Sequence, residues 1–143
     1  MSVTLEYIVK SQFTSPPSSE ADLSNAKAKI PYIFPDEYID FLKISDGGMM
    51  KSGRAIFYSC GNSISEHLIP ANINRKDAKL FFIGRFSEDE FGYKLDSLNS
   101  STRSIFVLDH ETSEIHFISD NLVDFLERYS QPPAKKKWYS FLF

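Results

Sequence analysis

The chain has 143 residues, 42% of them hydrophobic, with 13 Phe and 7 Tyr: enough for one domain around an aromatic-rich core, and too little for a second. Sixteen basic against nineteen acidic residues leave a net charge of -3, which argues against nucleic acid as the direct partner, because phosphate binding draws on a basic excess. The lone Cys60 excludes an internal disulfide, the opening MSVTLEYIVK is not a secretory leader, and no run of about 18 apolar residues offers a membrane span, so the expected location is the reducing cytoplasm.

Residues 3–10 fit two periods: Val3, Leu5, Tyr7 and Val9 alternate, while Leu5, Ile8 and Val9 share a helix face. A short helix is the preferred reading. Ser15-Pro16-Pro17-Ser18-Ser19 is a loop, and Ser18 or Ser19 caps a helix from Glu20 to about Lys29 with Leu23, Ala26 and Ile30 inward, ended by Pro31. Phe34 to Gly48 carries the clearest helix signal. Pro35 suits the first helical position, Asp36 and Glu37 complement the dipole, and Tyr38, Phe41 and Leu42 form a stripe flanked by Phe34 and Ile39. Gly47-Gly48 is the expected stop.

Beyond it the texture becomes that of strands. Arg54 to Tyr58 is a strand closed by Gly61-Asn62-Ser63, and 64–79 is loop with a turn of helix, broken by Pro70. Lys79 to Gly84 reads as a buried strand that Gly84 ends; the acidic turn Ser87 to Glu90 and a strand Phe91 to Leu95 complete a hairpin. After a polar linker, Ser104 to Leu108 is rich in β-branched and aromatic residues. The turn Asp109 to Ser113 leads to a strand Glu114 to Ile118, with Ile115 and Phe117 on one side, His116 and Ile118 on the other. Ser119 or Asp120 caps a last helix with the stripe Leu122, Val123, Phe125, Leu126 and Tyr129, stopped by Gln131-Pro132-Pro133. The expected architecture is α+β: a single domain over residues 1–143, with a central, mostly antiparallel sheet flanked by helices. Residues 1–19 form an N-terminal segment and loop, and the apolar tail 134–143, with Trp138, Phe141, Leu142 and Phe143, docks on the sheet or final helix.

The succession FPDEYIDFL…DGG, Phe82-Ile83-Gly84, FGYKLD, SIFVLDHETSEI and a terminal DFL helix resembles the SUKH superfamily, which includes the yeast SMI/KNR-type cell-wall regulator and many bacterial immunity proteins. The likeness spans roughly residues 20–129 and rests on Pro35, Tyr38, Phe41, Leu42, Gly47, Gly48, Gly84, Gly92, Asp96 and Asp109. Asp46 stands where Asn is familiar, and SEDEF replaces a glycine-rich turn. The resemblance implies an α+β fold, no enzymatic activity and no cofactor. It also implies an intracellular immunity protein that neutralises a polymorphic or contact-dependent toxin domain, often a nuclease, by stoichiometric occlusion. The alternative it leaves is a regulatory scaffold that binds several host proteins.

Read for chemistry, the chain offers little to catalysis. Cys60 has no flanking base and suits a small buried filler; no nucleophile elbow, phosphate loop or GxGxxG occurs. His110 and His116, with Asp109, Glu111 and Glu114, could in principle hold zinc or serve a small hydrolase, yet solvated hairpin turns commonly carry such residues, and no metal is assigned. His67 stands apart. The better candidates are carboxylates: Asp46, Glu88, Asp89, Glu90, Asp109 and Glu111 are expected to form an acidic surface towards a cationic toxin, though solubility is the commoner reason for any one of them. Lys135-Lys136-Lys137-Trp138-Tyr139 could suit RNA or a membrane, but its apolar neighbours favour docking within the protein.

Overall fold

The computed structural model describes residues 2–73, 75, 78–98 and 103–131; the expected docking of Trp138 and its neighbours lies outside them. Helices α1 (Ser2–Gln12), α2 (Glu20–Lys29) and α3 (Asp36–Leu42) come first, followed by strands β1 (Gly48–Met49) and β2 (Ile56–Phe57). A short α4 (Leu68–Asn72), strands β3 (Leu80–Arg85), β4 (Glu90–Lys94), β5 (Ile105–Leu108) and β6 (Ile115–Ser119), and α5 (Leu122–Ser130) complete the order. Among the described residues the strands form one sheet in the order β1-β2-β3-β4-β5-β6, each antiparallel to the next. The chain is therefore α+β, with the helices packed on the sheet.

The two faces of the sheet differ. On one, Phe57, Phe91 and Phe125 are fully buried, with ring centroids 5.2 and 4.6 Å apart along the series, and Tyr38 and Phe41 of α3 stack beneath them. Phe13, just past α1, meets Phe41 and Phe57 edge-on, so one aromatic core joins three helices to the sheet. Tyr38 donates its buried hydroxyl to the Tyr58 carbonyl, which lets an aromatic ring fill the core without stranding a polar atom. On the other face, α4 covers only one end. There Asn72 donates to the carbonyls of Leu68 and Phe82 and accepts from the Phe82 amide, tying α4 to β3 where the β3–β4 register shifts. That bulge leaves backbone groups for a side chain to satisfy.

Several local expectations need correction. Pro35 is the residue before α3 rather than its first, with ψ at 130°. Gly47 and Gly48 do not stop α3, which ends at Leu42; Ile44 and Ser45 donate back to Phe41, and the chain turns without glycine. The two glycines instead turn the chain into β1. Gly47 has φ of 73°, and a Cβ there would lie 2.6 Å from the Phe57 carbonyl oxygen. Gly84 does not end its strand either: it pairs with Phe57 on one side and Phe91 on the other, where a side chain would strike the Ile56 carbonyl. Ser19 caps α2 through the Asp22 amide, whereas Ser18 is bonded to Asp46. At α5 the cap is Asn121, not Ser119 or Asp120, since its side chain accepts from the Asp124 amide at 2.8 Å. Pro70 sits inside α4, in the first turn, where a missing N–H costs nothing.

Candidate functional site

Antiparallel pairing of Glu90 with Leu108 sets the β3–β4 turn beside the β5–β6 turn, so Asp89 and His110, 21 positions apart in sequence, meet at one end of the sheet. His110 joins the two turns. Its Nδ1 lies 2.7 Å from Asp89 Oδ1 and its Nε2 2.9 Å from Glu88 Oε1, and its backbone N–H also donates to Asp89. Asp109 shapes its own turn: its Oδ1 accepts from the amides of Glu111 (2.9 Å) and Thr112 (3.4 Å), and Ser113 completes the turn with φ of 65°. Glu88 and Glu111 point to solvent. Four of the expected carboxylates, Glu88, Asp89, Asp109 and Glu111, are thus gathered on these adjoining tips.

The other two are elsewhere. Asp46 is only 3% exposed and accepts from the Ser18 hydroxyl (2.6 Å) and the amides of Cys60 (2.9 Å), Gly61 (3.1 Å) and Ser63 (3.4 Å). It ties the loop after α1 to the segment after β2. Glu90 receives both guanidinium nitrogens of Arg75, at 2.8 and 3.1 Å, and the Tyr58 hydroxyl at 2.7 Å. Glu90 points to the sheet face opposite α5, and its charge is balanced internally. Arg75 and Tyr58 escaped the sequence reading because only the tertiary fold brings them, from the segments after α4 and after β2, to Glu90.

The electrostatics of the tips follow from these contacts. Hydrogen bonds from the backbone and ring of His110 hold the Asp89 carboxyl below its ordinary value. The hydrogen bond with Asp89 raises the His110 imidazole above its ordinary value, and the charges of Glu88, Asp89 and Glu111 add to that, against a smaller effect of burial. Because the folded value is raised, the bridge contributes fully below the unfolded histidine range and fades as pH rises through the folded value. An NMR titration is expected to place His110 above an ordinary histidine, and Asp89→Asn to bring it back; an unshifted His110 in the unaltered protein would show that the bridge is not formed.

Asp89, Asp109 and His110 present ligand atoms within 4.8 Å of one another, so these are the residues that could hold a cation. Their atoms already bond one another and the turn backbone, which is the sufficient explanation of the grouping. His116, weighed with them and Glu114 as a possible zinc ligand, lies 3.4 Å from Glu114 and is not part of this group. His67 bonds the Ile64 carbonyl, away from the tips. Cys60 is buried, and burial pushes its thiol up to about 11, so it stays protonated at neutral pH and is a poor nucleophile. Behind the tips runs a groove of about 660 Å³ lined by Phe86, Val107, Ile118 and Tyr129, with Asp89, Asp109, Arg54 and Arg128 at its rim. Tips and groove together offer a charged, shaped surface suited to contacting a protein.

No helix among the described residues is long and apolar enough to cross a membrane. No curated protein matches the chain significantly. The model of the SMI1 / KNR4 family (SUKH-1), however, matches residues 17–128, from the loop before α2 into the last turns of α5. With well over half of its length matched, the chain belongs to the SMI1 / KNR4 family (SUKH-1).

Proposed function

We propose that this protein is a cytoplasmic immunity protein, which binds the toxin domain of a polymorphic or contact-dependent toxin and blocks it by stoichiometric occlusion, without turnover or cofactor. Family membership supports a protein-binding role. The observation that carries the rest is the convergence of Glu88, Asp89, Asp109 and Glu111 on two adjoining hairpin tips, with His110 bridging to Glu88 and Asp89 and Asp109 bonding the amide of Glu111. A toxin that cleaves nucleic acid must present cationic side chains to phosphate, and carboxylates set on short turns can meet those charges and cover them. Fixing the turns beforehand lowers the ordering cost of association.

Affinity capture from the native host, with the bound proteins identified by mass spectrometry, tests this reading. One dominant stoichiometric partner with a toxin domain supports it. A spread of regulatory proteins would establish the scaffold alternative in its place. Once a partner is in hand, Glu88→Lys combined with Glu111→Lys is expected to slow association about tenfold at low salt and much less at high salt, because steering by exposed charges is screened. Both side chains are exposed, so the core is untouched, and although Glu88→Lys removes one contact of His110, the bond from His110 to Asp89 still joins the two turns. Glu90 is left intact, since its reversal would oppose Arg75. An unchanged association rate would remove the tips from the interface.

A further inference from the structure

The groove behind the hairpin tips begins where α5 ends. Arg54, on its rim, donates to the Gln131 carbonyl at 3.3 Å, and its guanidinium lies 4.7 Å from the ring centroid of Tyr129, part of the groove wall. Gln131 has already left the helix, with φ of -79° and ψ of 147°. Pro132 and Pro133 follow it, and a residue before proline is kept out of the helical region, so α5 cannot continue past this point. An extended chain advances about 3.3 Å per residue, which gives Lys135 to Trp138 a reach of about 13–23 Å from Gln131. The segment after α5 therefore sets out from the rim of the groove with enough length to cross it.

The groove presents two kinds of group that a ligand could still engage. Phe86, Val107 and Tyr129 form a half-buried apolar wall around a volume of about 660 Å³, a size that accepts an aromatic side chain. At the tip end, Asp89 and Asp109 each work through Oδ1 alone, the first with His110 and the second with the amides of Glu111 and Thr112. Among the described residues no hydrogen-bond donor reaches the Oδ2 of either. The cations at the α5 end are engaged differently: Arg128 donates to the Ile118 carbonyl at 3.1 Å, and Arg54 to that of Gln131. The groove is thus basic where α5 leaves it, apolar along its wall and acidic at the tips.

We propose that residues 134–143 of this chain fill the groove, with Lys135 to Lys137 beside the open oxygens of Asp89 and Asp109 and Trp138 against Phe86, Val107 and Tyr129. The order of residues agrees with the order of the groove. Pro132-Pro133-Ala134 is uncharged beside Arg54 and Arg128, three lysines follow for the acidic end, and Trp138 comes directly after them. Connection to α5 supplies the segment at a local concentration of millimolar order, which a free competitor of similar chemistry has to exceed. Glu88 and Glu111 point to solvent and stay open to a partner. The docking does not depend on the toxin reading.

Trp138 is the only tryptophan of the chain, so its fluorescence reports on this segment in the intact protein. Acrylamide is expected to quench it severalfold less in the folded chain than in urea, and to the same extent at every protein concentration. Methyl NMR is expected to show cross-peaks from the Trp138 ring to Val107 and Ile118. Lys135→Glu, Lys136→Glu and Lys137→Glu together should raise the quenching severalfold at low salt. The methyl resonances of Leu42 and Leu126, both fully buried, should stay in place, which separates undocking from unfolding. Quenching as complete as in urea, no cross-peak to Val107 or Ile118, protection untouched by the triple reversal, or protection lost on dilution, which would put the segment on another copy, would each overturn the proposal.

Discussion

Replacing Asp46 by alanine is expected to destabilise the protein by about 3 kcal/mol or more, because a buried acceptor is removed while its donors stay in place. The amides of Cys60 and Gly61 and the Ser18 hydroxyl would lose their acceptor in a site that is almost closed to water. Asp46→Asn keeps one carbonyl oxygen and should cost less, but its NH2 group would confront the Ser63 amide or the Ser18 hydroxyl. The carboxylate also gives the effect a pH signature. Burial acts to raise the Asp46 carboxyl, yet the hydrogen bonds from Ser18, Cys60, Ser63 and Gly61 outweigh it and leave the group below its ordinary value. A lowered folded value means stability present above the ordinary carboxylate range and lost as pH falls through the folded value. Urea titrations at neutral and acid pH should therefore show the gap between the unaltered protein and Asp46→Asn narrowing in acid. A variant as stable as the parent at neutral pH would show that the bonds contribute nothing.

The second large effect is expected at Gly92. A Cβ there would run into the Phe81 carbonyl oxygen and lie 2.7 Å from its carbon and 2.9 Å from Phe82 Cα, all backbone of the neighbouring strand. Backbone cannot rotate aside as a side chain can, and β3 is already irregular at this point, being bulged between Phe82 and Gly84. Gly92→Ala should therefore cost about 3 kcal/mol or more, at or above the upper end of ordinary overpacking. Gly53→Ala is the comparison. Gly53 has φ of 77° but open space around it, so only the backbone conformation is penalised, by about 1–2 kcal/mol. Denaturant midpoints that rank the two variants equally would show that the sheet can open at Gly92.

The sequence was informative wherever one segment determines its own structure. The Tyr38, Phe41 and Leu42 stripe made α3 legible, and SIFVL made β5 legible, because periodicity is local. Boundaries were less legible, since tertiary contacts settle them. The glycine pair after α3 looks like a helix stop, yet both glycines answer to the close approach of Phe57, Ser59 and Ser15. β1 has two residues and offers no alternation to read. The site divides in the same way. Carboxylates in the SEDEF turn and in the DHET turn are visible in sequence, and turn chemistry puts them on the surface. Asp46 and Glu90 look no different as letters, but the donors they meet come from Ser18, Cys60 and Arg75, far along the chain. His110 was visible as a titratable residue, though its role as a bridge needed the β4–β5 register.

The order of the sheet has a kinetic consequence. Each described strand pairs with its predecessor in the chain, so apart from β2 and β3, whose connection runs through α4, the neighbouring strands close short loops at little cost in loop-closure entropy. The packing of α1 on α5 is the opposite case, joining residues 2–12 to 122–130. Its closure must wait until the sheet between them exists. The β3–β4 and β4–β5 ladders should therefore form early and exchange their amides slowly, while the α1–α5 seam closes last and opens first. The hairpin tips belong to the early part. On the function proposed above, the binding surface would be set before the rest of the molecule has closed.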